Sequence, residues 1–174
     1  MNYFKYGWVD IMADKLIKRD SYVNKLKDYV NSDFVKVYIG IRRSGKTSLM
    51  HNIIDELKSM GVKDENIIFF SFESREYAYI DNSQQLDEIV FNKTKNLEGK
   101  VYLFFDEIQQ VKGWEKSINS FRVSIDSDIY ITDSNSKVFF VINLRTPIPK
   151  MIVIKDTIPT GKQKINNMVV ILKA

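Results

Sequence analysis

The chain of 174 residues is long enough for one domain with a buried core, and its composition, 44% hydrophobic and 28% charged, is ordinary for a globular protein. It has no cysteine and one histidine, His51, which excludes disulfides, thiolate metal sites and cysteine nucleophiles and argues against a histidine-built zinc site. The net charge of +4 would help approach to a polyanion; a solvated lysine-rich surface is the simpler interpretation, and a nucleic-acid partner stays open.

No apolar run approaches the ~20 residues that span a bilayer, so we expect no membrane association. The first ten residues also lack the apolar centre of a signal peptide. We therefore expect a cytoplasmic protein, in which residues 1–20 form an amino-terminal extension.

Strand and helix patterns alternate along the chain from residue 21 onward. Short β-branched and aromatic runs predict strands, and apolar residues at helical spacing predict helices. Ser83 is predicted to cap one helix, and Gly61 and Gly99 follow two helices where a C-cap is expected. The predicted helices cover residues 21–30, 46–60, 83–97 and 114–125, and the predicted strands cover residues 34–39, 66–72, 101–105 and 128–132.

This alternation is typical of an α/β domain with a mainly parallel central sheet and right-handed crossovers. The run VYLFF, residues 101–105, is apolar on both faces and is predicted to be a central strand. We assign residues 21–137 to this core.

The pattern changes after about residue 137. All three prolines of the chain, at positions 147, 149 and 159, lie in this last part, and residues 138–174 contain six Lys or Arg and one acid, Asp156. Strand-like runs remain, but no helical pattern separates them. We interpret residues 138–174 as an atypical β-rich basic segment, with strand-like runs at 138–142, 151–154 and 168–172.

Residues 40–47 match the phosphate-loop pattern G-x-x-x-x-G-K-[ST] in full. The glycines let backbone N–H groups converge on phosphate oxygens, and the following helix directs its N-terminal dipole at the same anion. Lys46 would contact the β- and γ-phosphates, and the Thr47 hydroxyl would ligate Mg²⁺. The nucleotide is expected to be bound by Gly40, Arg42, Arg43, Ser44, Gly45, Lys46, Thr47 and Ser48.

Two adjacent acids, Asp106 and Glu107, end the apolar strand 101–105. Alone, such a pair more often marks a strand that has reached solvent. After a phosphate loop, at the carboxyl end of a central parallel strand, both would face the ligand crevice. We expect Asp106 to hold Mg²⁺ together with Thr47, and Glu107 to act in catalysis by polarising the attacking water.

A third polar group is expected at the end of the fourth strand, which in this class of sheet lies between the loop strand and the Asp-Glu strand. The chain offers Thr132, Ser134 and Asn135 there. Asn135 is the candidate to orient the water, although a plain loop has the same composition. Glu73 is a lesser candidate, and a solvated strand end explains it equally.

Other polar or aromatic residues favour structural interpretations. His51, one turn into the loop helix, is interpreted as a surface or packing residue, and Trp114 as a core residue. Arg42 and Arg43 either contact phosphate or lie in solvent.

Residues 17–136, about two-thirds of the chain, resemble the prokaryotic AAA-type ATPases that carry a C-terminal nuclease-like domain of unknown function. The stretches IKRDSYVNKL, VYIGIRRSGKTSLM, YLFFDEIQQVKGWEKSINSFR and DIYITDSNSK carry the resemblance. It implies ATP with Mg²⁺ as ligands, residues 40–47 as the Walker A loop and Asp106-Glu107 as Walker B. It also implies that Ser134 to Ser136 form the sensor region and that the fold is the P-loop NTPase three-layer sandwich.

The sequence departs from this family in two places. Asp133 stands where family members usually have glycine, and its carboxylate would either repel the γ-phosphate or lie in solvent. The lid and winged-helix region that follow in the family are absent, and the last part of the chain resembles the last strands of the family's C-terminal domain joined directly to the ATPase core, as in an internally deleted member. An arginine finger is worth ~10³ to 10⁵ in rate, and Arg145, in a proline-flanked segment, is poorly placed for that role.

The sequence therefore predicts an ATP-binding AAA-type P-loop protein whose Mg-dependent hydrolysis is weak or absent. The alternative is a degenerate remnant that acts as a non-enzymatic interaction module. A GTPase is disfavoured because the guanine-reading N-K-x-D pattern is missing, and the nearest match is NKTK at residues 92–95. The sequence identifies neither a protein partner nor an oligomeric state.

Overall fold

The computed structural model describes residues 27–134 and, for the course of their backbone, residues 151–155 and 169–172. Two short 3-10 turns, Asp64–Asn66 and Ile108–Gln110, accompany the regular elements. Of the helices in these described ranges, none combines the length and the apolar character that crossing a bilayer requires. The helices are α1 (Lys46–Ser59), α2 (Ser83–Thr94) and α3 (Trp114–Ser124), and the strands are β1 (Val35–Ile39), β2 (Ile67–Ser71), β3 (Val101–Asp106), β4 (Ser127–Asp133), β5 (Met151–Lys155) and β6 (Val169–Leu172).

The strands form one sheet in the order β2-β3-β4-β1-β5-β6, with every neighbouring pair parallel except β5 and β6. The prediction of a mainly parallel α/β sheet is confirmed, and β4 lies between β1 and β3 as expected. The chain leaves β1 toward one edge of the sheet and returns to β1 through β4. The strand order therefore reverses beside β1, and in open parallel sheets ligands bind at this switch point.

Two of the predicted tail strands belong to the same sheet. β5 pairs in parallel with β1, and β6 pairs antiparallel with β5. The predicted strand 138–142, most of the predicted helix 21–30 and the candidate residue Asn135 lie outside the described residues. The division of the chain at residue 137 stays a prediction.

Helices cover both faces of the sheet, which makes three layers. Successive strand residues point to opposite faces, so a strand that is apolar throughout can be buried on both. On one face, Leu103 lies in a core with Leu86 of α2 and Ile118 of α3. On the other face, Phe104 lies in a core with Ile53 of α1. The apolar run of β3 thus joins the two cores.

The start of α2 differs from the sequence prediction by one residue. Asn82, which is still extended at φ −143° and ψ 165°, is the N-cap, and its side-chain oxygen accepts a hydrogen bond from the Gln85 backbone N–H. Ser83 is the first residue of the helix, so the prediction that Ser83 caps it is wrong. An N-cap side chain must lie outside the helix to reach the third helical N–H, and Asn82 meets that condition.

A buried ion pair joins β1 to β4 at the amino-terminal end of the sheet. Lys36 and Asp128 have fully buried side chains, and the Lys36 Nζ donates to an Asp128 oxygen. Asp128 also accepts hydrogen bonds from the Asn31 backbone N–H, at 2.8 Å, and from the Tyr130 hydroxyl, at 2.9 Å. Burial lowers the pKa of Lys36 below its ordinary value, while the charge of Asp128 acts against that effect.

Breaking this pair from one side should destabilise the fold strongly. We expect Lys36→Met and Asp128→Asn each to lower the free energy of unfolding by about 3–5 kcal/mol, because each leaves a buried group without its partner. The double variant should lose less than the sum of the two. Urea denaturation measures all four proteins of the cycle.

The exposed pair Lys63–Glu65, with 3.4 Å between the charged atoms, provides a matched cycle on the surface. Its coupling energy should be at most about 1 kcal/mol. Strict additivity of Lys36→Met and Asp128→Asn would show that the buried contact does not stabilise the fold.

Candidate functional site

The loop of residues 40–47 leaves β1 and turns directly into α1. Gly45, at φ 87°, is the N-cap of α1. It has no side chain that could accept a hydrogen bond from the first N–H groups of the helix, so these groups face the loop. Arg43 also has a positive φ, 67°. These two left-handed residues curl the chain into the concave shape that groups backbone N–H donors around an anion.

The Lys46 side chain is buried beneath this loop, with 6% of the residue exposed. Its Nζ donates to the backbone oxygens of Gly40, at 3.1 Å, and Ile41, at 3.3 Å. It also donates to the Ser134 hydroxyl, at 3.1 Å, and lies 3.4 Å from a Glu107 carboxylate oxygen. Four oxygens from three parts of the chain therefore surround one ammonium group.

The Asp106 carboxylate is held from two sides by threonines. Thr47 Oγ1 donates to Oδ2 at 3.0 Å, and Thr132 Oγ1 donates to Oδ1 at 2.6 Å. Burial raises the pKa of Asp106 above its ordinary value, and the neighbouring charge of Glu107 adds to that rise. The two threonine hydrogen bonds and Lys46 act in the opposite direction, because they stabilise the ionised form.

Glu107 is buried beside Asp106, and its backbone takes the left-handed conformation at φ 57°. Its carboxylate accepts hydrogen bonds from the Ser134 hydroxyl and from the Gln109 amide. Burial acts to raise the pKa of Glu107, but these hydrogen bonds and the charge of Lys46 outweigh it and hold the pKa below its ordinary value. Glu107 is therefore an anion at neutral pH, paired with Lys46.

The structure brings together the two acids and the lysine that the sequence singled out. Sequence reasoning missed Gln109, which donates to the Glu107 carboxylate. Its position two residues after Glu107, in the 3-10 turn, is the feature that could have identified it. Sequence reasoning placed Thr132 and Ser134 among the polar residues at the end of a strand, and the family resemblance placed Ser134 in the sensor region. Thr132 hydrogen-bonds to Asp106 and Ser134 to Glu107, and both contacts depend on the register between β3 and β4.

The remaining loop residues differ in exposure. Arg42 is exposed and donates to Glu73 at 3.0 Å, and Arg43 is exposed as well. The contact of either arginine with phosphate stays a prediction. Ser44 is buried in the loop and Ser48 is half-buried in the first turn of α1. Their roles in binding stay predictions.

Asp133 is fully buried, so of the two alternatives for its carboxylate the one that places it in solvent is wrong. Its backbone oxygen accepts a hydrogen bond from the Gly40 N–H at 3.3 Å, which continues the pairing of β4 with β1 into the loop. The interpretations of His51 and Trp114 are confirmed. His51 is exposed and stacks on Phe69 with 4.9 Å between ring centroids, and Trp114 is buried in the core.

The oxygen donors of the site fit a magnesium ion. Mg²⁺ prefers oxygen ligands, and is commonly held by one or two protein groups together with phosphate oxygens and water. The Thr47 hydroxyl and the Asp106 carboxylate are already in contact at the mouth of the loop. Within the described ranges, no group of three or more acidic or histidine side chains could hold a metal alone. The donor set therefore suits an ion that arrives with phosphate.

The parallel sheet, with a glycine-rich loop and a buried lysine at its switch point, defines an α/β protein of the P-loop NTPase class. The sequence profile of the AAA domain matches residues 32–152. The chain therefore belongs to the AAA domain family.

Two relatives show how far the similarity extends. The chain is 39% identical over 125 residues to an uncharacterised protein of Haemophilus influenzae, a match that covers 72% of this chain and 31% of that protein. It is 34% identical over 127 residues to an uncharacterised protein of Methanocaldococcus jannaschii, covering 71% of this chain and 25% of that protein. The matched region thus spans less than a third of either relative.

Replacing Gly45 by alanine should damage the site more than the fold. Gly45 and Gly61 both have a left-handed backbone, at φ 87° and 90°, so Gly45→Ala and Gly61→Ala should each cost about 1–2 kcal/mol of stability. Gly45→Ala should also lower nucleotide affinity at least roughly tenfold, because it redirects the loop N–H groups.

Gly61→Ala is the matched control, because Gly61 follows α1 at its far end and an added Cβ there meets no atom within 4 Å. Calorimetric titration and thermal unfolding of both variants separate the two effects. Equal nucleotide affinities for the two variants would contradict a binding role for the loop.

Proposed function

We propose that this protein binds ATP with Mg²⁺ in the loop of residues 40–47 and hydrolyses it slowly. The observation that carries the proposal is the buried ammonium group of Lys46 beneath the loop, in contact with a carboxylate that follows β3. Burial of a lysine costs free energy, and its partners here are oxygens that phosphate oxygens could replace. Membership in the AAA domain family supports ATP as the nucleotide.

Each residue has a distinct proposed role in binding. Lys46 contacts the β- and γ-phosphates, and the loop N–H groups and the start of α1 contact phosphate oxygens. Thr47 and Asp106 would hold the magnesium ion, which, when bound, neutralises charge on the phosphates. The direct contact between Thr47 and Asp106 supports this pairing, since the two groups already lie together.

In hydrolysis, Glu107 is the proposed group that orients the attacking water by accepting its hydrogen bond. Asn135 is the second proposed catalytic residue, and it follows the Ser134 that contacts Glu107. We propose slow turnover because an arginine at the γ-phosphate accelerates this chemistry by ~10³ to 10⁵, and the downstream candidate for that role in the sequence, Arg145, lies in a proline-flanked segment.

Loss of the loop lysine should abolish tight binding. We expect Lys46→Ala and Lys46→Met to weaken MgATP binding by roughly 10- to 100-fold, because a charge-assisted contact to phosphate is lost. Isothermal titration with MgATP and with MgGTP measures the affinities and tests the preference for ATP. Thermal unfolding confirms that the variants are folded.

Lys58→Ala is the control, because Lys58 lies near the other end of α1 in an exposed pair with Asp64. It should bind MgATP like the wild type. An unchanged dissociation constant in both Lys46 variants, or no binding by the wild type, would favour the alternative of a non-enzymatic interaction module.

Removing the charge of Glu107 should affect hydrolysis and spare binding. We expect Glu107→Gln to lower the Mg-dependent hydrolysis rate by roughly 10²- to 10⁴-fold, the usual contribution of a general base, with ATP affinity within a few-fold of the wild type. A phosphate-release assay measures the rate.

Glu65→Gln, in the exposed 3-10 turn before β2, removes a carboxylate far from the loop and should hydrolyse ATP at the wild-type rate. Equal rates for wild type and Glu107→Gln would show that the measured hydrolysis does not occur at this site.

A further inference from the structure

The Thr132 hydroxyl lies between the two acids at the end of β3, Asp106 and Glu107. It donates to Asp106 Oδ1 at 2.6 Å and accepts from the Glu107 backbone N–H at 2.8 Å. Thr132 is completely buried. A threonine hydroxyl has one hydrogen to donate and two lone pairs to accept, so this arrangement uses its donor and one acceptor site.

These two bonds continue the contact between β3 and β4 after their backbone pairing ends. The register between these strands runs to the pair Phe105 and Ile131, and the next residue of β4 is Thr132. Beyond the last backbone pair, the Thr132 hydroxyl of β4 is a hydrogen-bond partner of both Asp106 and Glu107. One residue of β4 therefore contacts both acids, Asp106 through its carboxylate and Glu107 through its backbone N–H.

The conformation of Glu107 needs such a support. Glu107 has φ 57°, in the left-handed region that is unfavourable for a non-glycine residue. The bond from its N–H to Thr132 helps to hold the turn that takes the Glu107 side chain toward Lys46. Without an acceptor there, a buried N–H group would lose its partner.

The same hydroxyl fixes the rotation of the Asp106 carboxylate. With Oδ1 held by Thr132, Oδ2 points to the Thr47 hydroxyl. The Glu107 N–H, the Thr132 hydroxyl and the Asp106 anion form a continuous chain of donors and acceptors, in which each bond polarises the next. One oxygen of Asp106 is thereby left facing the loop and the first turn of α1.

We propose that Thr132 is a positioning residue that prepares Asp106 for the metal ion and holds the turn at Glu107. This role rests on the proposed binding of MgATP. Thr132 itself is completely buried, and in the proposed arrangement it would touch neither nucleotide nor metal. Its effect should therefore appear in the magnesium dependence of binding and leave the affinity for metal-free ATP unchanged.

Three substitutions separate the hydroxyl from the packing of the side chain. Thr132→Val keeps the branched shape and removes the hydroxyl, and Thr132→Ser keeps the hydroxyl and removes the methyl group. Thr94→Val is the matched control, since the buried Thr94 hydroxyl bonds only within α2, to Val90 O and Phe91 O. Thr94→Val removes the same hydroxyl group at a position remote from the loop of residues 40–47.

The affinity for ATP is measured by isothermal titration with excess chelator and across a magnesium series. We expect Thr132→Val to raise at least roughly tenfold the magnesium concentration that gives half of the full increase in ATP affinity. This factor corresponds to the loss of a hydrogen bond to a charged group. Its affinity for ATP without magnesium should stay within about twofold of the wild type. Thr132→Ser and Thr94→Val should keep the wild-type magnesium requirement.

A second measurement uses the nucleotide-free protein. Hydrogen exchange of the Glu107 amide should be at least roughly tenfold faster in Thr132→Val than in the wild type, and near the wild-type rate in Thr132→Ser.

Several outcomes would overturn the positioning role. It would be overturned if Thr132→Val left the magnesium requirement unchanged, or if it left the hydrogen-exchange rate of the Glu107 amide unchanged. Equal losses in Thr132→Ser and Thr132→Val would assign the effect to the methyl group, and an equal loss of metal-free ATP affinity would show general damage to the fold. A wild-type chain that binds no ATP overturns the proposed function itself, which distinguishes that failure from the others.

Discussion

The buried ammonium group of Lys46 sets the condition that the rest of the site satisfies. A charge removed from water needs polar partners, and this one takes them from the loop carbonyls, from Ser134 and from Glu107. These groups follow three different strands, β1, β4 and β3. They meet because the strands are neighbours and parallel, so that their carboxyl ends share one edge of the sheet. The order of the strands therefore creates the site.

A second buried lysine, Lys36, differs from Lys46 in its neighbours. Lys36 is a structural cation, whereas Lys46 is proposed to bind phosphate. Lys36 is at the opposite end of β1, where Asp128 and the Ser32 carbonyl surround it. Asp128 is held in turn by a backbone N–H and a tyrosine hydroxyl, so the pair is fixed within the fold. Lys46 lies instead under an exposed loop, and in the proposed function phosphate oxygens would replace its partners. Both side chains are buried, so their neighbours and not their burial distinguish the two proposed roles.

Much of the fold could be predicted because its signals are local. The β-branched run before Gly40, the apolar stripe of α1 and the doubly apolar β3 each record burial directly in the sequence. The contacts of Thr132 with Asp106 and Glu107 could not be predicted, because residues 25 or more positions apart meet only through strand register. The 31-residue separation of Arg42 and Glu73 hides their ion pair in the same way.

Glu107 places a further condition on the proposed hydrolysis. Ser134, Gln109 and Lys46 already engage its carboxylate, which leaves little of the acceptor capacity of about four lone pairs. An attacking water would use the remaining acceptor site or take the place of one of these donors. Lys46 is the donor for which bound phosphate provides an alternative partner, because phosphate oxygens attract its charge. In the proposed mechanism the Lys46 side chain would therefore release Glu107 when phosphate binds, and this would link nucleotide binding to hydrolysis.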